Sequence, residues 1–406
     1  MSHHPISVSS GKFNLDVSGV AAFFGGDAAI KAMKTFHLYK DRRWTGWYNA
    51  PGSFAVAKYI GPIANSRLWH TIFLVEQSKD PETVFGLDGR PGPKYIAFQS
   101  GTIIDKTTHA AYFVTQRSKE ECSVITVRGR TTQPITLSVV QVPVTDTPYV
   151  NYSARVGSKE SPTLIVKVRD HQIWLARIPM SASLIACILC AYNRDWYCLA
   201  MIFLGIIANG LTCLLIGSAS LVLKGVQSAY DARPGDGILV DDSSNHIVIL
   251  KGAERDVNWV TKGKFRLEYL PSVWKHMEIG LCGLLLSIQS FLQLLLIPQG
   301  TTFGQIMFLS SFVISWAYNL YFSSLYREKI QQDLLLETLK VTFTSKFKLG
   351  TRTIAAVFTT LVLRPHSSTK PQPPSQTEPK PSSTNKFLKY ILPNETAMWD
   401  EWREHV

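Results

Sequence analysis

Charge is what this chain lacks. Asp, Glu, Lys and Arg make up 18% of its 406 residues, against about 25% in an average soluble domain. Apolar residues make up 46%, which excludes disorder over the whole chain. Cysteine is scarce as well. Five of the six cysteines (Cys187, Cys190, Cys198, Cys213 and Cys282) lie in or beside apolar runs, so no disulfide framework follows. Acids are outnumbered 30 to 42 by Lys and Arg, a net charge of +12. A positive surplus suits nucleic acid or a membrane surface. Nucleic-acid binders, however, carry that surplus on many charges, and here there are few, so no nucleic-acid partner is expected.

The familiar chemical signatures are missing too. There is no phosphate-binding Gly-rich loop, no Gly-x-Ser-x-Gly elbow and no His-Glu-x-x-His pair. Cys187-x-x-Cys190 sits in an apolar run without a second ligand pair, where Cys behaves as a small hydrophobe. The sequence therefore offers no catalytic, cofactor-binding or metal-binding residue, and the chain reads as non-enzymatic.

What is present is a set of long uncharged runs. Tyr197 to Leu223 holds no Asp, Glu, Lys, Arg or His, nor does Thr301 to Leu325, and Met277 to Ile297 holds only Glu278. Each can cross about 30 Å of hydrocarbon at about 1.5 Å per residue. A fourth span runs from Trp174 to Tyr192, with Arg177 near enough to its end to snorkel. Asn193-Arg194-Asp195 and Pro298-Gln299-Gly300 are turns. The expected fold class is an α+β membrane protein, with about four transmembrane helices as two helical hairpins and a cytoplasmic β-rich domain.

The basic residues give an orientation. With four spans, Arg194 is the single Lys or Arg on one side and all others fall on the opposite side. Positive residues beside spans favour the cytoplasm, so both termini and the central loop are expected there. The sequence does not indicate which membrane holds the protein. Arg177, Trp196, Lys275 and Arg327 read as interface anchors. No basic, long-apolar leader precedes Val17–Gly25, so a cleaved signal peptide is not expected. On this topology the sequons at Asn151 and Asn394 read as chance matches.

The domains read as follows: 1–172, a cytoplasmic β-rich region; 173–223, the first hairpin; 224–275, a cytoplasmic β-hairpin loop; 276–325, the second hairpin; and 326–363, cytoplasmic or interfacial helices. A linker at 364–386 with six Pro and a short amphipathic helix at 387–406 complete the chain. Strands are expected at Tyr95–Phe98, Ala110–Val114, Val124–Val127, Ile135–Val140, Leu164–Val168, Ile238–Val240, His246–Leu250, Val257–Val260 and Phe265–Leu267. A short helix is expected over Asp27–Lys40, followed by an exposed aromatic cluster of Trp44, Trp47 and Tyr48.

Inside the spans, Asn209, Gln289, Gln293, Gln305 and Asn319 read as an internal packing seam or as a polar path. Gly205, Gly210 and Gly217 supply close helix–helix contact. Trp399 and Trp402 on the last helix suit docking, either to a protein partner or within the chain. Lipid is the other expected partner. The leading expectation is an interaction or scaffold protein. The alternatives are a transporter or channel subunit using Gln289, Gln293 and Asn319, and an interfacial enzyme using His276 and Glu278.

Several stretches carry a resemblance: Asn193–Ile207, Gly210–Ser218, Pro234-Gly-Asp-Gly237, Leu349-Gly-Thr-Arg-Thr353, and the tail Pro393-Asn-Glu-Thr with Trp399 and Trp402. Over about residues 175–406 the chain resembles an uncharacterised family of multi-pass membrane proteins expanded in basidiomycete fungi. The resemblance implies a membrane protein of fungal source and carries no activity or site residues.

Overall fold

The computed structural model describes residues 25–64, 71–72, 79–120, 123–143, 163–166, 168, 173–229, 232–241, 245–269, 275–364, 387–394 and 396–405. In chain order its main helices are α1 (Gly26–Phe36), α2 (Ser53–Ile60), α3 (His109–Glu120), α4 (Ile173–Tyr192), α5 (Trp196–Gly217), α6 (Glu254–Thr261), α7 (Lys275–Leu296), α8 (Thr302–Ser324), α9 (Arg327–Leu339), α10 (Arg352–Leu363) and α11 (Ala397–His405). The chain divides into two compact units, each built from three separate stretches.

The first unit takes Met1–Leu87, Val168–Leu221 and Arg266–Gln331. It contains the four helices long and apolar enough to cross a membrane: Trp174–Tyr192, Trp196–Gly217, Glu278–Gln299 and Thr302–Ser324. Large apolar side chains such as Leu184, Ile188, Phe203 and Leu295 stay exposed on them, as helices surrounded by lipid allow. α4 packs on α5, α5 on α7, and α4 on α8. The expected second hairpin departs from a close antiparallel pair. α7 and α8 each pack on a neighbour from the first pair, and α2 and α1 lie against them in turn.

Two carboxylate oxygens tie the connections together. Asp195 is buried and caps α5 by accepting from the Cys198 amide at 3.1 Å. Its other oxygen accepts from the amide and hydroxyl of Thr301, both at 2.7 Å, at the start of α8. Charge-assisted bonds of this kind are about twice as strong as neutral ones, so Asp195 holds the turn after α4 to the turn before α8.

The second unit takes Asp88–Lys167, Val222–Phe265 and Gln332–Val406. Its centre is a seven-stranded mixed sheet in the order β2-β1-β7-β8-β4-β10-β3. The strands are β1 (Lys94–Ala97), β2 (Ile103–Ile104), β3 (Val124–Thr126), β4 (Ile135–Gln141), β7 (Gly237–Asp241), β8 (His246–Lys251) and β10 (Thr342–Leu349). β5 (Thr163–Ile165), β6 (Ser220–Lys224) and β9 (Lys264–Glu268) make a separate sheet in the order β5-β6-β9. β4 pairs parallel to β8, while β7 and β8 form the antiparallel hairpin expected for the central loop.

One sheet face carries Ile96, Leu137, Ile238, Ile249 and Leu349. It is closed by Ala355, Ala356 and Leu363 of α10 and by Phe387, Leu388, Ile391 and Leu392. On the other face Ser138 bonds to Ser118 O of α3. Burial on both faces explains why β7 and β8 read as continuous apolar runs rather than alternating ones.

Four expectations are corrected. Ala110–Val114 is helical, because Ala110, Ala111, Val114, Thr115 and Ser118 bury one face at the 3.6-residue period. A five-residue window was too short to show that period. Val257–Val260 is helical as well, with Glu254 and Asp256 in the first turn of α6, where carboxylates favour the helix dipole. The expected helical region 326–363 is interrupted by β10, which pairs with β4 from Thr342 to Leu349. The β-rich reading of 1–172 also changes, because the described elements before Leu87 are helices joined by irregular segments and belong with the four long helices.

Candidate functional site

The first unit holds a segment that the sequence reading assigned elsewhere. After α1 the chain turns at a short helical stretch, Arg42–Trp44, which lies against α5. Arg42 is buried there and donates to the carbonyls of His37 at 2.6 Å and Tyr39 at 3.3 Å, and to Ala219 O. Residues 45–52 then run along α5 toward its middle, and α2 leads back. Gly217, Gly210 and Gly205 of α5 mark the path: a Cβ on each would collide with Arg43, Trp47 and Asn49 in turn. These glycines were expected to receive another long helix, and they receive this segment instead.

The tip of the segment lies halfway along the long helices. The Asn49 amide donates to Ser183 Oγ at 3.0 Å, in the middle of α4. Its side-chain nitrogen donates to Ser311 Oγ at 3.0 Å on α8, and its oxygen lies beside Gly205 of α5. Non-helical backbone at that depth is tolerated only when protein surrounds it or it lines a cavity. Here the bundle supplies partners. Asn209 Nδ2 donates to Gly46 O at 2.6 Å and Tyr48 O at 3.3 Å, and Tyr48 OH donates to Asn319 Oδ1 at 2.8 Å. Tyr48, expected in an exposed aromatic cluster, is 2% exposed, whereas Trp44 is 52% exposed.

A cavity of about 20 Å³, measured as room for the centre of a water molecule, opens at the tip. Its polar lining is Tyr48, Ser53, Asn209, Gln289 and Asn319, with Met33, Cys213 and Leu286 among the apolar walls. One water needs about 10–15 Å³ on that measure. Gln289 is fully buried and both its amide oxygen and nitrogen lack a hydrogen-bond partner among the described residues. Gln293, one turn further along α7, is in the same condition, and Asn49 Oδ1 is also unpartnered. A buried polar group left unpaired costs about 1–3 kcal/mol.

Two helix N-termini meet here. α1 starts after Gly25 and α2 after Gly52, both left-handed with φ of 77° and 73°, and neither start is capped by a side chain. Gly52 approaches Gly26 so closely that a Cβ on it would strike the Gly26 backbone. The positive ends of two helix dipoles therefore converge beside a pocket lined only by uncharged groups. Asp27 in the first turn of α1 is exposed and lines no part of it.

The structure thus brings Asn209, Gln289 and Asn319 together, with Gln293 adjacent on α7. Gln305 stands apart, donating to Gly300 O at 3.2 Å. Of the expected anchors, Arg177 is exposed in the first turn of α4 and Trp196 is 65% exposed at the start of α5. Arg327 donates to Phe85 O at 2.9 Å. Lys275 opens α7; its side chain, like that of His276, lies outside the described residues. Trp399 and Trp402 stack edge to face at 5.5 Å and pack on the sheet core of their own unit. The linker from 365 to 386 and the Asn151 sequon lie outside the described residues.

Sequence reasoning missed Tyr48, Asn49, Ser183, Ser311 and Asp195. A signal for the first two was present: Trp44 to Ala57 is a run without charge between Arg43 and Lys58. It is too short and too rich in Gly and Pro to register as a span. Compared with family profiles, curated proteins and solved structures, the chain matches none.

Proposed function

We propose that the chain is a multi-pass membrane protein whose helix bundle admits a small polar solute to a pocket at mid-membrane depth. This was the second expectation from sequence, and one observation raises it above the scaffold reading. The fully buried, unpartnered Gln289 amide lines a cavity at the tip of a non-helical segment surrounded by long apolar helices. Polar groups within spans are expensive and mark solute or ion pathways. A purely structural seam would have spent those hydrogen bonds between helices.

The reading keeps the orientation argued from charge, with both termini and residues 224–275 cytoplasmic, and the kinship with the basidiomycete family. It involves no bond-making step, so the chain is classed as non-enzymatic. Docking of a protein partner at Trp399 and Trp402 is the lesser role, because those side chains already pack on the chain's own sheet.

The test is solute entry into proteoliposomes containing the full chain, followed by light scattering after an osmotic step. Entry faster than into empty vesicles is expected, and its loss in Gln289→Leu with an unchanged melting temperature supports the pocket. If no solute of any class enters faster than into empty vesicles, the reading fails. Engineered sequons at Asn193 and within 241–245 test the orientation, and modification at 241–245 overturns it.

A further inference from the structure

Resting on that reading, we infer that the pocket takes neutral solutes of the size of water that both donate and accept hydrogen bonds, and refuses cations. Three features at one place carry this. The first is the absence of charge: every polar lining side chain is a neutral amide or hydroxyl. The second is the field. α1 and α2 point their uncapped N-termini at the tip, and the positive ends of half-helices raise the energy of a cation in a pore.

The third feature is the unspent hydrogen bonding. Gln289 presents an oxygen and a nitrogen, neither with a partner among the described residues. Gln289 lines the cavity, while Asn49 Oδ1 fills the face of Gly205 beside it. A solute in the cavity can donate to the Gln289 oxygen and accept from its nitrogen. The same free oxygen disfavours an anion, since no Lys or Arg lines the cavity to offset it. The volume, close to that of one water, sets the size limit.

The experiment uses the full chain in proteoliposomes of neutral lipid, with four probes: water, urea, potassium and chloride. Water should cross faster than in empty vesicles, while urea, as the size control, and both ions stay at the empty-vesicle rate. Gln289→Leu should slow water about tenfold, the worth of one lost buried hydrogen bond. Asn49→Asp, which adds a carboxylate beside the pocket, should admit potassium where the native chain does not. Urea, potassium or chloride crossing the native chain faster than empty vesicles overturns the solute class and leaves the pocket standing as a permeation site. No acceleration of any probe overturns the function itself, and this inference with it.

Discussion

The two units bury different interiors: the helical one has an apolar cluster with Met201, Ile202, Phe308 and Phe312, and sets a polar centre beside it. In the sheet unit the core is apolar, from Ile96 and Leu137 through Ile249 to Phe387 and Leu388. In the helical unit the mid-depth centre holds Asn49, Asn209, Gln289, Gln293 and Asn319, while Leu184, Ile188 and Leu295 face outward. Apolar burial drives packing only where the surroundings are water. Lipid is as apolar as leucine, so helices in it are specified by small residues and hydrogen bonds instead. The contrast accounts for the collisions at Gly205, Gly210 and Gly217, which leave room for a polar segment that an aqueous core would expel.

The largest expected effect tests the apolar side of the contrast. Ending the chain at Arg364 removes Phe387, Leu388, Ile391 and Leu392, all buried on the sheet. At about 1.5–3 kcal/mol for each of the four side chains, the sheet unit should lose about 6–12 kcal/mol. Rapid proteolysis within β4 or β8 would report it. A truncated chain with native resistance would show that the sheet face needs no cover.

Asp195→Ala tests the polar side. It removes three hydrogen bonds to one buried carboxylate and should cost about 3 kcal/mol, seen as a lower melting temperature in detergent. Asp195→Asn should recover part of the loss, and equal losses would deny the charge any role.

A smaller, pH-dependent effect belongs to His246 in β8. Its Nε2 lies 3.0 Å from Ser138 Oγ. Burial, then Lys119 and Lys346, push its pKa down to about 4, against a smaller upward pull from Asp241. The unfolded chain, near 6.5, then binds the proton more readily than the folded one between those values. Stability should be full above about pH 6.5 and fall as the pH drops toward 4. His246→Gln should flatten that slope in thermal melts from pH 4 to 7, and an unchanged slope would assign it to other groups.

The smallest change in stability should come from Gln289→Leu. Exchanging an unpartnered buried amide for an apolar side chain of similar size should alter stability by no more than about 1 kcal/mol. A large loss would mean that Gln289 bonds within the folded protein and serves packing alone.

Much of the fold was legible because its signals are local. Long apolar runs marked the four apolar helices, and β-branched or aromatic runs at 95–98, 135–140 and 246–250 marked strands found at 94–97, 135–141 and 246–251. Errors fell where a short window could not show the period, as at Ala110–Val114. β10 was lost because Thr342–Leu349 alternates with Lys346 and Lys348 and reads as a charged surface. In the site, Asn209, Gln289 and Asn319 stood out as polar residues within apolar runs. Asn49 lies in an uncharged run too short and too rich in Gly and Pro to register as a span.

By itself the sequence determined where the chain avoids charge, and hence which stretches can enter a membrane and how many. That follows from transfer energies that add residue by residue. Tertiary structure alone decided that residues 45–52 enter the bundle and that α1 and α2 lie against α8 and α7. It also brought Gln289 and Asn319 to a common pocket with Tyr48. Each of those facts depends on partners more than a hundred residues apart, and hydrogen-bond satisfaction between distant segments leaves no periodic trace in a sequence.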